Sequence, residues 1–357
     1  MFFGYPIAAT AENWLHQAIC EMVMTIHGSI EAGEDVPGWP DIIPAPHRAR
    51  LESRTGLRDR LEAYTEAARQ LNAAGLAQVE VCLMEQNELA ALFDCSGECE
   101  VITDLPESIR QAAQNLFTFG YDLLTDLDIR DTQYKEIYNV IADAVCPFCG
   151  SEYFDAPESR REDLDHYLAK TLYPFAAANL GNLAPMGRKC NGYKLQKDIL
   201  RDAGGVRRPS FNPYAEREIT VSLLNSVPFA GQDGQTPQWQ IDFDPDSPEC
   251  VTWDAVFSLR TRIERDILNE SFRPWLGQFA AWFILRKGID DLSDDRIVES
   301  LWEYKEDMEL QGFRARDFLR SHVFEMLAVN CQLGHERLLQ LMRDLVIQAV
   351  PPPRQHE

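Results

Sequence analysis

The sequence predicts an α+β chain, a mainly helical body with a small ββα-type insert near its middle. Three observations predict it. Apolar residues recur at helical spacing through most of the chain, on both sides of one turn-rich stretch. That stretch, residues 146–200, carries cysteine, histidine and asparagine at short intervals. Behind it, two short runs alternate apolar and polar residues as strands do.

The elements follow in order. Trp14, Ile19, Met22, Val23 and Ile26 mark an apolar helix within residues 1–35, closed by a turn. VPGWPDIIPAPH, residues 36–47, holds four prolines and reads as a linker or an extended strap. Leu57, Leu61, Tyr64, Ala68 and Leu71 keep helical spacing over residues 48–71, and further helical patterns occupy 109–124 and 134–144. The turn-like Cys95-Ser-Gly-Glu-Cys99 reads as two small apolar residues at a loop. Beyond the insert, Ile219, Val221 and Leu223, and then Trp239, Ile241 and Phe243, point alternately and so read as short strands. Helical patterns return at 256–268, 272–285, 297–304, 318–329 and 338–350, and three prolines end the last. The expected division is a helical region 1–145, an insert module 146–214, and a region 215–357 of short strands and then helices. No internal repeat is visible.

Composition narrows the function. A hydrophobic share of 45% and a charged share of 25% are those of an ordinary soluble protein. The best apolar run, residues 279–285, is far short of about eighteen residues and meets Arg286 and Lys287, so no membrane span is expected. The N-terminus lacks a basic region and soon meets Glu12, so the chain is read as cytoplasmic and without a signal peptide. Its nine cysteines are an odd number, and in a reducing compartment a close pair points to metal before it points to a disulfide. The net charge of −23 opposes nucleic acid, whose affinity comes mainly from phosphates. Any DNA contact must then be local, with the remaining acidic surface repelling DNA or docking a protein partner.

The chemistry concentrates in the insert. Cys146-Pro-Phe-Cys149-Gly150 is a CxxC turn that offers two thiolates to one zinc. A redox CxxC would need a βαβ setting, whereas here a helical pattern precedes the motif and a turn follows it. Asp165-His166 follows inside LDHYLAKTLYP, then Asn182 in NLAP, then Cys190-Asn191-Gly-Tyr-Lys194. Phosphodiester hydrolysis needs a water deprotonated near neutral pH and a cation to offset phosphate charge. Histidine suits the base role. Asp165 and Asn191 supply a carboxylate and an amide oxygen to a magnesium-like cation, leaving positions for water and phosphate. Asn182 suits holding the His166 loop by hydrogen bonds. The interval from His166 to Asn191 allows a β-hairpin followed by the start of a helix.

Over residues 146–197 this set resembles the HNH endonucleases that carry a CxxC before a DHYL…YP…NL.P…CN..K run. A weaker likeness extends to Phe211-Asn212-Pro213-Tyr214. The resemblance implies a ββα-metal module in which Asp165 and Asn191 bind Mg2+ or Mn2+, His166 is the general base and Asn182 orients it. It implies a DNA endonuclease or nickase; such enzymes serve in bacterial anti-phage and restriction systems, some as subunits beside an ATPase. A binding module with a vestigial nuclease site is the alternative. One departure stands out. Relatives with two knuckles place a cysteine where this chain has Gly187, so Cys146, Cys149 and Cys190 supply three thiolates. Either another residue completes a structural zinc site or packing alone holds the knuckle.

Charge supplies the last expectation. Arg188, Lys189, Lys194, Lys197, Arg201, Arg207 and Arg208 stand against Asp198 and Asp202, a local excess of five positive charges. This run beside Asn191 reads as the phosphate-contacting face, with Lys194 nearest the cut. Binding is expected to be weak without a tethering partner or homo-oligomerisation.

Overall fold

The computed structural model describes residues 3–159, 164–312 and 316–350. Before the insert the periodic segments form helices α1 (Trp14–Ala32), α2 (Arg48–Leu51), α3 (Thr55–Ala68), α4 (Ala73–Glu85), α5 (Leu89–Phe93), α6 (Glu107–Asp126) and α7 (Ile129–Val140). α4 was not among the expected helices, although its signal is in the sequence. Leu76, Val79 and Leu83 keep helical spacing, and the Asn72 side chain caps it by accepting from Gly75 N at 2.8 Å. The proline-rich strap is no free linker, because Ile42 and Ile43 bury their side chains beside those of α1 and α3.

After the insert come the two strands that the alternation predicts, β3 (Thr220–Ser222) and β4 (Asp242–Asp244); they pair antiparallel with Val221 opposite Phe243. The helical pattern at 256–268 is not one helix. Ser258 adopts a left-handed conformation, φ 53°, and separates Pro248–Phe257 from Leu259–Ile263. A wide π-type turn, Glu264–Leu268, then leads into Asn269–Lys287, which carries Pro274 in its first turns. Asp294–Gln311, Asp317–Gln332 and Glu336–Ala349 complete the C-terminal bundle.

The apolar residues gather in two cores. One joins α1, α3, α4 and α6; the other runs from Tyr5 and Phe93 through the cysteine cluster to the C-terminal helices. The expected segments 1–145, 146–214 and 215–357 therefore do not hold separate cores.

The insert lies between these cores. Its strands β1 (Leu164–His166) and β2 (Leu183–Pro185) pair antiparallel, with Asp165 opposite Ala184 and His166 opposite Leu183. A helix, α8 (Arg188–Lys194), follows directly. Because successive residues of a strand face opposite sides, Leu183 enters the core of α1, α3 and α6 while Ala184 enters the other. Two buttresses fix β2. Gln133 on α7 donates to Leu180 O at 2.9 Å and to Tyr214 Oη at 2.7 Å, and Tyr214 Oη donates to Leu183 O. Tyr5 Oη donates to Pro185 O, while its own N–H meets Pro213 O at 2.7 Å. The Phe211–Tyr214 element thus serves to brace the strand pair. No helix among the described residues is long and apolar enough to cross a membrane.

Candidate active site and cysteine centre

His166 is buried, 6% exposed, and its ring lies against Tyr121 of α6 with centroids 4.2 Å apart. Its Nε2 sits 3.0 Å from Ala177 O. A carbonyl only accepts, so Nε2 carries the proton and Nδ1 the lone pair. Burial lowers the pKa of His166 to about 3, helped by the cations of Lys170, Lys194 and Arg130 and opposed by the Ala177 carbonyl. The imidazole is therefore neutral at any ordinary pH, as a base must be.

Asn182 is completely buried and holds the loop that supplies this carbonyl. Its Oδ1 accepts from Leu168 N at 2.6 Å, and its Nδ2 donates to Leu168 O at 3.2 Å and Ala176 O at 3.1 Å. Tyr167 N adds a bond to Asn182 O at 2.8 Å. The side chain spends its capacity on backbone either side of Lys170, and so orients the ring indirectly, through residue 177.

Asp165 points to the other side of β1 and meets Lys194. Its Oδ2 lies 3.0 Å from Nζ, and the Lys194 side chain is 1% exposed. This corrects the expectation for Lys194: it is a buried partner of Asp165 and not a surface contact for phosphate. Asn191 lies three residues earlier on α8, hence on the same face, and is partly exposed.

Part of the expected basic face is turned to internal bonds. Arg207 Nη2 donates to Leu92 O and Gly97 O, both at 2.9 Å, and Arg208 Nη2 to Asp198 O at 2.6 Å. Lys197 Nζ meets Val256 O at 2.6 Å, and Arg201 Nη2 meets Cys99 O at 3.2 Å. Lys189 stands 3.9 Å from Asp266. Arg201, Arg207 and Arg208 are partly buried and tie backbone carbonyls, while Arg188, Lys189 and Lys197 keep the exposed side chains expected of them. The cations felt at His166 are Lys170, Lys194 and Arg130, and Lys170 and Arg130 flank the Tyr121 ring at 4.9 and 4.7 Å. Sequence reading missed both, since Arg130 lies in α7 with no motif around it and Lys170 was read only as part of the DHYL run.

Cys146, Cys149 and Cys190 come together as their spacing predicts. All are buried, their sulfurs lie within 4.8 Å of one another, and those of Cys146 and Cys190 are 3.9 Å apart. The knuckle closes through Cys149 N and Gly150 N onto Cys146 O, with Gly150 at φ 62°, where a Cβ would strain the turn. Burial pushes the Cys146 and Cys190 thiols up, while hydrogen bonds from those two hold Cys149 well below the usual thiol range. Three buried, adjacent sulfurs with one inclined to ionise match the chemistry of a soft or borderline cation such as zinc. Sequence reading missed two neighbours, Glu152 and Arg262. Arg262 Nη1 donates to Cys190 Sγ at 3.3 Å and its Nη2 to Glu152 Oε2 at 3.3 Å.

The candidate ligands beside His166 are oxygen donors. Asp165 offers a largely shielded carboxylate whose charge is already met by an ammonium, and Asn191 an amide on the facing helix. Hard oxygen donors of this kind fit Mg2+ or Mn2+, with the Lys194 ammonium as an internal competitor for the same charge. No family model, curated protein or solved structure matches the chain.

Proposed function

We propose that the chain is a metal-dependent endonuclease or nickase of the HNH type that hydrolyses DNA phosphodiester bonds. The observation that carries the reading is the state of His166. It is buried, neutral, and anchored through Nε2 by a loop that Asn182 clamps at both ends. A histidine held this way presents Nδ1 as a fixed acceptor. Nδ1 takes a proton from water as the water oxygen bonds to phosphorus; the bond from phosphorus to the leaving nucleoside oxygen breaks, and that oxygen is reprotonated from solvent. Asp165 and Asn191 would hold the divalent cation, which when bound offsets charge on the phosphate. Lys170 and Arg130 supply local attraction for phosphate in an otherwise acidic protein. Cys146, Cys149 and Cys190 would bind a structural zinc that fixes α8 to the knuckle.

A plasmid-nicking assay with Mg2+ or Mn2+ tests the reading. Wild type is expected to nick and His166→Ala to lose about 10²–10⁴-fold in rate, the usual share of a general base. Equal nicking by a folded His166→Ala protein would refute the base assignment.

One observation favours a second reading, a nucleic-acid-binding module with a vestigial nuclease site. The Lys194 ammonium already neutralises Asp165. If the site is vestigial, neither wild type nor Lys194→Met nicks DNA with any divalent ion. If the chain is a nuclease subunit, nicking appears on adding its protein partner, docked by the acidic helical surface.

A further inference from the structure

Gly187 stands where a fourth cysteine ligand is expected, and a carboxylate fills the space beside it. A Cβ at residue 187 would lie 2.6 Å from Glu152 Oε2, 2.7 Å from its Cδ and 2.8 Å from its Cβ. Glu152 thus occupies the volume that a side chain at 187 would need. Backbone bonds hold it there: Lys189 N donates to Oε1 at 2.9 Å and Cys190 N to Oε2 at 3.3 Å. Oε2 lies 3.8 Å from Cys149 Sγ.

We infer that Glu152 is the fourth ligand of a zinc centre formed with Cys146, Cys149 and Cys190, and that Arg262 is its outer charge partner. The inference rests on the zinc reading above and adds the ligand that reading lacks. Two separations match a tetrahedron, while the Glu152 carboxylate stands beside Cys149 and outside the group of three sulfurs within 4.8 Å of one another, so it would close in on binding the ion. With Zn–S near 2.3 Å and Zn–O near 2.1 Å, ligand atoms stand about 3.8 Å apart for two sulfurs and about 3.6 Å for sulfur and oxygen. The corresponding separations are 3.9 Å for Cys146–Cys190 and 3.8 Å for Cys149–Glu152. Charge fits as well. Three thiolates and a carboxylate leave a zinc centre at −2, costly to bury without a counter-charge. Arg262, with its side chain 5% exposed, touches one sulfur and the carboxylate at once. A buried guanidinium needs anionic partners, and Glu152 and the Cys190 sulfur supply them here, beside the Phe257 carbonyl. The remaining sulfur contacts, from Gly187 N to Cys146 at 3.4 Å and Ser151 Oγ to Cys149 at 3.4 Å, are of the kind that steady thiolate ligands.

The test uses the full chain purified without chelator. Elemental analysis is expected to give one zinc per chain, and zinc X-ray absorption a shell of three sulfurs and one oxygen or nitrogen. Glu152→Gln, checked for folding by circular dichroism, is expected to bind zinc about tenfold or more weakly against a chromophoric chelator. The double variant Glu152→Ala with Gly187→Cys is expected to recover affinity. After cobalt substitution, its sulfur-to-metal charge-transfer band should rise from three-thiolate to four-thiolate intensity. Stoichiometric zinc with unchanged affinity in Glu152→Gln would overturn the Glu152 assignment and leave the zinc reading standing. A four-sulfur shell in wild type would do the same. Wild type without zinc would overturn both.

Discussion

His166 shows how much of a catalytic reading depends on one hydrogen bond. Ala177 O receives the Nε2 proton, so the free lone pair is on Nδ1, and burial among Lys170, Lys194 and Arg130 keeps the ring uncharged down to about pH 3. Cleavage should therefore show no acid limb near pH 6.5, the midpoint of an ordinary histidine. NMR titration of the His166 imidazole is expected to report the neutral form down to pH 5; a midpoint between 6 and 7 would contradict the buried, cation-flanked environment. Asn182 gives a second residue-scale prediction. Asn182→Ala removes the three bonds that fix residues 168 and 176 and leaves those backbone groups unpaired in the interior. Stability should fall by about 2–4 kcal/mol in urea denaturation, and the turnover of what remains folded should fall too, since the base loses its anchor. A variant with full turnover would show that the loop holds itself.

At the scale of elements, the segment 188–208 is the most informative. Its charge reads as a phosphate-binding face, yet Lys197, Arg201 and Arg207 reach across to carbonyls of other segments, including Leu92, Gly97, Cys99 and Val256. The cations act as ties between the insert and both flanking regions. Arg207→Ala is expected to cost about 1–3 kcal/mol by loss of charge-assisted bonds that are only partly shielded, with little change in DNA affinity. Fluorescence anisotropy on a labelled duplex checks the second half of the claim. A large loss of binding with unchanged stability would return Arg207 to the nucleic-acid interface.

For the whole molecule, a net charge of −23 must be set against a small positive patch. Arg130, Lys170 and Lys194 are the cations felt at His166, so few phosphates can be neutralised. Log affinity against log salt is expected to have a slope of about −2 to −3, roughly one unit per phosphate contact. A slope near −6, unaffected by Lys170→Glu, would mean that DNA follows another path. The same acidic chain should be acid-labile for a separate reason. Burial lowers His16 and His27 to about 4 and His166 to about 3, so below pH 6.5 the unfolded chain takes up protons that the native chain refuses. Between pH 6.5 and about 4, each such histidine subtracts about 1.4 kcal/mol of stability per pH unit. Denaturation midpoints at pH 7.5, 6 and 5 should fall accordingly, and His27→Gln should flatten the slope; an unchanged slope would show that His27 is protonated in the fold.

What the sequence by itself determined was local. Helical and alternating periodicity located α1, α6, the C-terminal helices and the two short strands around Val221 and Phe243, because burial of one face is written into the spacing of apolar residues. The CxxC turn and the adjacency of Asp165 and His166 were legible for the same reason, each being a relation between near neighbours. The partners of long side chains were decided only by tertiary structure. Lys194 looks like a surface cation until β1 brings Asp165 beside it, and Gly187 looks like a missing ligand until Glu152 fills its space. Arg262, 72 residues beyond Cys190, had no signal in the sequence near the cysteines it touches. Charge and sulfur chemistry act over a few ångströms in space, and the order of residues along the chain does not encode which distant groups the two cores will press together.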